Sequence, residues 1–245
     1  MRRIRIKVAG IAIELNTEFY PSYKICKDFY TDEAPVFSVQ CTPEDYEREE
    51  FEFKKKYNSL APSDVYLEVN ALLRKVADRV IDYSGFLIHG AAIAIDNKAF
   101  LFSAPSGTGK TTHVKLWLDK CPRAYVINGD KPIVRLIHDQ KSPIICGSPW
   151  AGKENMYSNS MVPLKAIIFL ERSDENAIEE ITFKDAFPDL YRQIYHPTEK
   201  RRMVKTIQLL KSLEAAISFY HFKINNYKDD CFEIVYKALM NSDKI

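Results

Sequence analysis

The sequence has few features of a cross-linked or metal-stabilised protein. Its five cysteines lie at positions 26, 41, 121, 146 and 231, and no Cys-x-x-Cys pair occurs among them. We therefore expect neither a disulfide framework nor a zinc site. Charged residues at positions 5, 7 and 14 interrupt the start of the chain, which argues against a secretory signal. These absences favour a reduced, cytoplasmic protein.

A strong charge of one sign is also missing. The 245 residues include 35 Lys and Arg against 33 Asp and Glu, which gives a formal net charge of +2. No global field would attract nucleic acid or an anionic membrane, so we expect neither as a partner. With 46% hydrophobic residues, the composition is that of an ordinary globular protein. The sequence does not decide between a monomer and a homo-oligomer.

Glycine is scarce and unevenly placed. Seven of the eight glycines fall between Gly85 and Gly152, and the last 93 residues contain none. Glycine is used where the backbone needs a positive φ or must approach a ligand closely. The middle third of the chain is therefore the place to look for a site.

The first 62 residues predict a small β-rich region. Apolar residues alternate over Ile4–Val8 and again, in the opposite phase, over Ile11–Leu15, which indicates two strands around a turn at Ala9-Gly10. Short strands are also predicted at Phe37–Cys41 and Phe51–Phe53. Ser63 can then cap a helix whose apolar residues keep helical spacing to Val80.

Residues 63–245 predict an α/β domain with a mixed central sheet. We expect a strand over Phe86–Ile95 that includes His89, a return strand over Ala99–Ser103, and a hairpin around Asp139. The apolar run Ala166–Glu171 is typical of a central strand. A strand is predicted at Phe219–Ile224, with a final helix from about Asp229.

One motif between a strand and a helix carries specific chemistry. Residues 104–112 read Ala-Pro-Ser-Gly-Thr-Gly-Lys-Thr-Thr, which matches the phosphate-loop pattern G-x-x-x-x-G-K-[ST] except for Ala104 at its first position. The backbone of such a loop and the N-terminus of its helix bind phosphates, so we assign nucleotide binding to Ser106, Gly107, Thr108, Gly109, Lys110, Thr111 and Thr112. Lys110 would neutralise the β- and γ-phosphates of ATP, and the Thr111 hydroxyl would bind Mg²⁺.

The loop resembles that of ATP-dependent phosphoenolpyruvate carboxykinase, and the arrangement around it resembles the HPr kinase/phosphorylase catalytic domain. The shared pieces are Ile88-His-Gly-Ala91, the loop itself, the strand ending in Asn128-Gly-Asp130, and Gly147-Ser-Pro-Trp-Ala-Gly-Lys153. The sequence is most similar to divergent HPr-kinase-like proteins that are often encoded beside ribosomal-peptide maturation genes. The resemblance implies an HPr kinase-like and phosphoenolpyruvate carboxykinase-like fold and a kinase reaction. Thr111-Thr112 and Gly129 depart from the HPr kinase pattern, so the resemblance does not extend to HPr as the substrate.

Three further side chains are assigned catalytic roles. Asp130 follows a strand, twenty residues after Lys110, where it could hold Mg²⁺ or accept the proton of an acceptor hydroxyl. His89 could contact the γ-phosphate or tune Asp130. Lys153 follows a tryptophan expected to be exposed, and its loop suggests a contact to the acceptor or the transition state. His113 lies one helical turn past Lys110 and is expected to cap or pack against the Asp130 strand.

These assignments predict a kinase that uses ATP and Mg²⁺ to phosphorylate a hydroxyl, preferably a Ser or Thr of a peptide or small protein. Two alternatives stay open. One is a small-molecule kinase, because nothing in the sequence identifies a peptide groove. The other is a nucleotide-binding regulator that turns over slowly.

Overall fold

The computed structural model describes residues 2–57, 61–138, 140, 142–225 and 230–240. The chain divides into two compact units, Met1–Val80 and Ile81–Ile245. The sequence predicted a boundary between residues 62 and 63, one helix earlier. Among the residues that the structure describes, no helix combines the length and the hydropathy needed to cross a bilayer.

A three-stranded sheet forms the centre of the first unit as far as it is described, in the order β1-β2-β3. Its strands are β1 Arg2–Val8, β2 Ile11–Thr17 and β3 Phe37–Gln40. The turn between β1 and β2 has positive φ at Ala9 and Gly10, 53° and 72°. The phase flip in the sequence thus marks a real hairpin, as predicted.

Helices complete the first unit: α1 Tyr20–Lys24, α2 Pro43–Lys56 and α3 Asp64–Val80, with a 3₁₀ turn at Lys27–Phe29. The predicted strand at Phe51–Phe53 is wrong, because these residues lie inside α2. A reciprocal capping box between Thr42 and Asp45, with Pro43 in the first turn, starts this helix.

Helix α3 has the cap that the sequence predicted, since the Ser63 hydroxyl accepts the N–H of Tyr66 at 3.2 Å. Its buried Glu68 accepts the backbone N–H groups of Glu18 and Phe19 at 2.6 and 3.3 Å. Because these contacts and its packing on α1, α2, β2 and β3 lie within the first unit, α3 belongs there and not with the residues that follow it.

The second unit is built on a sheet with nine strands among the described residues. The main path runs β4-β8-β9-β10-β6-β5-β7, and β12 joins β10 to β11. The strands are β4 Gly85–Leu87, β5 Ala91–Ile95, β6 Lys98–Ser103, β7 Tyr125–Asn128, β8 Ile133–Arg135, β9 Ile144–Cys146, β10 Met161–Arg172, β11 Ala177–Ile181 and β12 Ser218–Ile224. Strand β10 pairs in parallel with β6 and β12 and antiparallel with β9, so the sheet is mixed. The central strand predicted at Ala166–Glu171 is confirmed.

The strand pairing tests two further sequence predictions in this sheet, a single long strand and a hairpin. The single strand predicted over Phe86–Ile95 is wrong: the chain leaves β4 after Leu87 and re-enters the sheet at Ala91, because β4 pairs with β8 whereas β5 pairs with β6 and β7. His89 therefore lies in the link between two strands and not on a strand. The hairpin of β8 and β9 is present, although Asp139, where its turn was predicted, lies outside the described residues.

Both faces of this sheet are covered by helices. They are α4 Lys110–Lys120, α5 Phe183–Gln193, α6 Lys200–Ser212 and α7 Asp230–Met240, after a 3₁₀ turn at Ile81–Tyr83. Residues of α4 and α7 share one core with Phe100 and Phe102 of β6, while residues of α5 and α6 share the other with Leu101. This alternation is the period of two expected for a strand buried on both faces. The unit is a layered, mixed α/β structure, as predicted.

Candidate functional site

The segment between β6 and α4, residues 104–109, forms a tight loop that we call the glycine loop. Gly107 and Gly109 have φ of 84° and 110°, a region of the backbone map that L side chains rarely adopt. Gly109 is also the N-cap residue of α4. The two glycines therefore turn the chain from the strand into the helix, as the motif requires.

The ammonium group of Lys110 lies under this loop. Its Nζ donates to the carbonyl oxygens of Ala104 and Pro105 at 2.7 and 3.1 Å, and the residue is only 8% exposed. Burial lowers the pKa of Lys110, while the charge of Asp130 opposes that shift. A buried cation enclosed by loop carbonyls is thus placed directly at the N-terminus of α4.

The strand register brings three separate segments to one edge of the sheet. Strand β5 pairs antiparallel with β6 and with β7, so β6 and β7 run in the same direction and end at the same edge. The glycine loop follows β6, Asp130 follows β7, and His89 precedes β5. Residues far apart in the sequence are therefore neighbours here because of the topology.

The backbone around Asp130 is held by a buried asparagine. Oδ1 of Asn128 accepts the N–H groups of Asp130 and Lys131 at 2.9 and 2.7 Å, an Asx turn. Its Nδ2 donates to the carbonyl oxygen of Ser148 at 2.9 Å, and the Ser148 hydroxyl donates to the carbonyl of Lys131 at 2.7 Å. Asn128 and Ser148 are both fully buried, so this network fixes the turn that carries Asp130.

The Asp130 carboxylate has a basic partner on each oxygen. Nε2 of His89 lies 3.3 Å from Oδ1, and Nζ of Lys131 lies 3.6 Å from Oδ2. Burial alone would raise the pKa of Asp130. The His89 hydrogen bond and the charges of Lys131, His89 and Lys110 outweigh burial and hold that pKa below its usual value. Asp130 is therefore an ionised carboxylate at neutral pH.

His89 is held from both sides of its ring. Its Nδ1 lies 3.0 Å from Oε1 of Gln193, at the end of α5, while Nε2 faces Asp130. The His89 backbone N–H also donates to the Gln193 carbonyl at 2.7 Å, and the His89 carbonyl accepts the Ser103 hydroxyl at 2.9 Å. These contacts fix the orientation of the imidazole relative to Asp130.

The loop from Gly147 to Lys153 is placed differently from the prediction in one respect. Trp150 is only 5% exposed, so the expectation of an exposed tryptophan is wrong. Gly152 packs against Asp130, where an added Cβ would lie 2.9 Å from the Asp130 Cβ. Lys153, the next residue along the chain, is exposed. The loop thus adjoins the Asp130 side chain and carries an exposed cation.

His113 is a core residue. It is fully buried, its Nε2 accepts the Trp117 indole N–H at 3.0 Å, and its ring contacts Phe102 and Phe222. Burial lowers its pKa to about 3, so the imidazole is neutral. The contacts with Phe102 and Phe222 place His113 against β6 and β12; capping of, or packing on, the Asp130 strand stays a prediction.

Two residues at this edge were not found from the sequence. Arg172, the last residue of β10, donates from Nη2 to the Gly107 carbonyl at 2.6 Å and so ties the glycine loop to the neighbouring strand. The sequence signal that could have indicated Arg172 is a charged residue at the end of an otherwise apolar strand. Gln193 had no such signal, because it lies on a helix with ordinary helical spacing.

The residues present fit a bound Mg²⁺–nucleotide. Thr111, in the first turn of α4, and Asp130 offer the hard oxygen atoms that Mg²⁺ prefers, together with phosphate oxygens and water. Within the described ranges, no group of three or more His, Cys, Asp or Glu residues is placed to hold a metal by itself.

No family model and no curated protein sequence matches this chain. Among solved structures, it is similar to the Hpr(Ser) kinase/phosphatase from Coxiella burnetii, with 11% sequence identity and a TM-score of 0.38. The match covers 63% of this chain and 90% of the other. The similarity concerns the general fold and does not define an activity.

Proposed function

We propose that this protein is a kinase that uses ATP and Mg²⁺ to phosphorylate a hydroxyl group, that of a Ser or Thr in a peptide or small protein. The observation that carries the proposal is the meeting of Lys110, under the glycine loop, with the His89–Asp130 pair at one edge of the sheet. A phosphate-binding cation and an ionised carboxylate are the two groups that phosphoryl transfer to a hydroxyl requires.

The nucleotide phosphates would be bound by the segment Ser106–Thr112. Backbone N–H groups of the glycine loop and the N-terminus of α4 favour negative charge there. Lys110 adds a full positive charge on a side chain that the fold has already ordered, since its ammonium lies against two carbonyl groups. Little conformational entropy is then lost when phosphate binds.

Thr111 and Asp130 would hold Mg²⁺, which neutralises charge on the β- and γ-phosphates. In the transfer, the acceptor oxygen forms a bond to the γ-phosphorus, the bond from that phosphorus to the β-γ bridging oxygen breaks, and ADP leaves. The proton of the acceptor hydroxyl passes to Asp130. His89 orients Asp130 through its 3.3 Å contact, and Lys153 contacts the transferring phosphoryl group from the loop beside Asp130.

Two measurements test this function. The first is calorimetric titration of a non-hydrolysable ATP analogue with Mg²⁺ into wild type, Lys110→Ala and Lys115→Ala. Loss of a charged hydrogen-bond donor costs about 1.5–3 kcal/mol, so Lys110→Ala should weaken binding at least about tenfold. Lys115→Ala is the matched control on the same helix, because its side chain is exposed and pairs only with Glu154 among the described residues. An unchanged dissociation constant for Lys110→Ala would remove the phosphate-loop assignment.

The second measurement is ATP consumption with and without hydroxyl acceptors, including Ser and Thr peptides. A kinase consumes ATP steadily only when an acceptor is present. Tight ATP binding without any dependence on acceptor would instead favour a slowly turning-over regulator, and transfer to small hydroxyl compounds but not to peptides would favour a small-molecule kinase.

A further inference from the structure

A cavity of about 280 Å³ lies beside the glycine loop. One wall is the base of that loop, residues 103–105, and another is the end of β10, residues 169–171. The remaining polar side chains in its lining are Asp189, Gln193 and His221. None of these three was given a role by the reaction described above.

The cavity is joined to the proposed catalytic pair by one side chain. Gln193 lines the cavity, and its Oε1 lies 3.0 Å from Nδ1 of His89, whose other ring nitrogen faces Asp130. Ala104 and Pro105, whose carbonyls accept from Lys110, are among the residues of the opposite wall. A molecule in the cavity therefore lies against the base of the glycine loop, and the Gln193 side chain separates it from the His89–Asp130 pair.

The size of the cavity restricts its occupant. At about 30 Å³ for each water in the liquid, the space equals about nine water molecules, which suits one side chain or a small molecule. The surface of a folded protein could not enter it. The acceptor group bound here would therefore be a flexible segment or a free small compound.

The charge of the lining indicates what kind of group it would bind. Glu171 and Asp189 are both in the lining; Glu171 is exposed and Asp189 is half-buried. Nε2 of His221 lies 3.2 Å from Oδ2 of Asp189, which fixes the carboxylate from inside the cavity, while Arg192 binds Oδ1 at 2.7 Å without lining the cavity. The two carboxylates give this lining an acidic character, which suits a positively charged hydrogen-bond donor.

We propose that this cavity is the acceptor subsite, and that the acceptor carries a cationic nitrogen, an ammonium or a guanidinium, close to the hydroxyl that is phosphorylated. The proposal rests on the proposed kinase function and names its substrate class. The cation would hydrogen-bond to Glu171 and Asp189, which would hold the neighbouring hydroxyl beside Asp130. The nitrogen could belong to a lysine or arginine side chain of a peptide or to a free amino alcohol.

The test compares acceptors that differ only in charge. Peptides with one Ser are made with lysine or with its neutral isostere norleucine at each position from −3 to +3, and 4-aminobutanol is paired with pentan-1-ol. Transfer from labelled ATP is measured for each pair. We expect the cationic member to be phosphorylated at least about tenfold faster at limiting concentration, since a charged hydrogen bond is lost with the neutral one. Preference in the peptide arm alone, or in the amino-alcohol arm alone, identifies the source of the nitrogen.

Variants locate the preference in the cavity. Glu171→Gln and Asp189→Asn should each reduce it several-fold, and Glu171→Lys should transfer it toward 4-hydroxybutyrate. Glu180→Gln, an exposed carboxylate on β11 outside the cavity, is the matched control and should behave as wild type. The ATP dissociation constant is measured for every variant and should stay unchanged.

Two results would overturn the inference while leaving the kinase function in place: equal rates within every pair, or full preference retained in both carboxylate variants. A protein that binds ATP but transfers phosphate to no probe would favour the slowly turning-over regulator over a kinase. Failure of the wild type to bind ATP at all would instead show that the underlying function is wrong.

Discussion

The side chains of Asp130 and His89 are in contact, and a backbone hydrogen bond from the next residue, Gly90, supports that contact. Nε2 of His89 lies 3.3 Å from Oδ1 of Asp130, and the N–H of Gly90 donates to the Asp130 carbonyl at 3.1 Å. Because the backbone bond links the start of β5 to the end of β7, the side-chain contact does not depend on two mobile loops meeting. The pair is preorganised for its proposed role by the sheet itself.

The Asp130 carboxylate is expected to matter more for transfer than for the binding of ATP with Mg²⁺. Asp130→Asn keeps the size and shape of the side chain but removes its charge. Single-turnover transfer should drop by at least about 10²-fold, the low end for general acid–base catalysis, while ATP still binds. Asp119→Asn, an exposed residue of α4, is the control. A transfer rate near that of wild type would make Asp130 a turn residue only.

Lys153 is expected to act on the acceptor side. It is exposed beside Gly152, which packs on Asp130. Lys153→Ala should leave ATP affinity within about 0.5 kcal/mol, as for a surface change, and lower the rate of acceptor phosphorylation. A lysine that reaches the phosphoryl group only in the transition state contributes to rate without adding to ground-state binding. Normal transfer would show the loop to be structural, and lost ATP affinity would place Lys153 on the nucleotide.

Gly152 should tolerate no side chain. Its φ of 71° is unfavourable for alanine, and an added Cβ would lie 2.9 Å from the Asp130 Cβ. Gly152→Ala is expected to lower the free energy of unfolding by more than the roughly 1–2 kcal/mol of backbone strain and to slow transfer by displacing Asp130. Gly107→Ala is the stability control, since its φ is 84° but an added Cβ would meet nothing within 4 Å. Equal destabilisation in a denaturant titration would contradict the packing argument.

His113 should make the protein less stable in mild acid. The unfolded chain protonates this histidine at its usual pKa of 6.5, whereas burial lowers the folded pKa to about 3. The free energy of unfolding is therefore unaffected by this histidine's titration above pH 6.5. It decreases as the pH falls from 6.5 toward 3, by about 1.4 kcal/mol per pH unit. His113→Gln should remove that slope from the free energy of unfolding. The exposed His196→Gln is the control, and an unchanged slope in His113→Gln would show that His113 is not the group that titrates.

The sequence by itself determined the features that depend on neighbours in the chain. The alternating strands around Ala9-Gly10, the Ser63 cap, the central strand at Ala166–Glu171 and the glycine loop were all predicted, because periodicity, capping and positive φ are local properties. The strand predicted at Phe51–Phe53 is wrong even though a local signal for a helix is present, since Thr42 and Asp45 form the capping box of the helix that contains these residues.

Only the tertiary structure decided which side chains meet. The contact of His89 with Asp130 follows from β5 pairing with β7, and Gln193 joins them because α5 packs on the same sheet. The burial of Trp150 and of His113 was also set by packing, since an aromatic residue near a glycine can face either solvent or the core. Strand order and helix packing bring together residues that no local pattern connects. The cavity beside the glycine loop is an example, because its walls come from the loop after β6, from β10, from α5 and from β12.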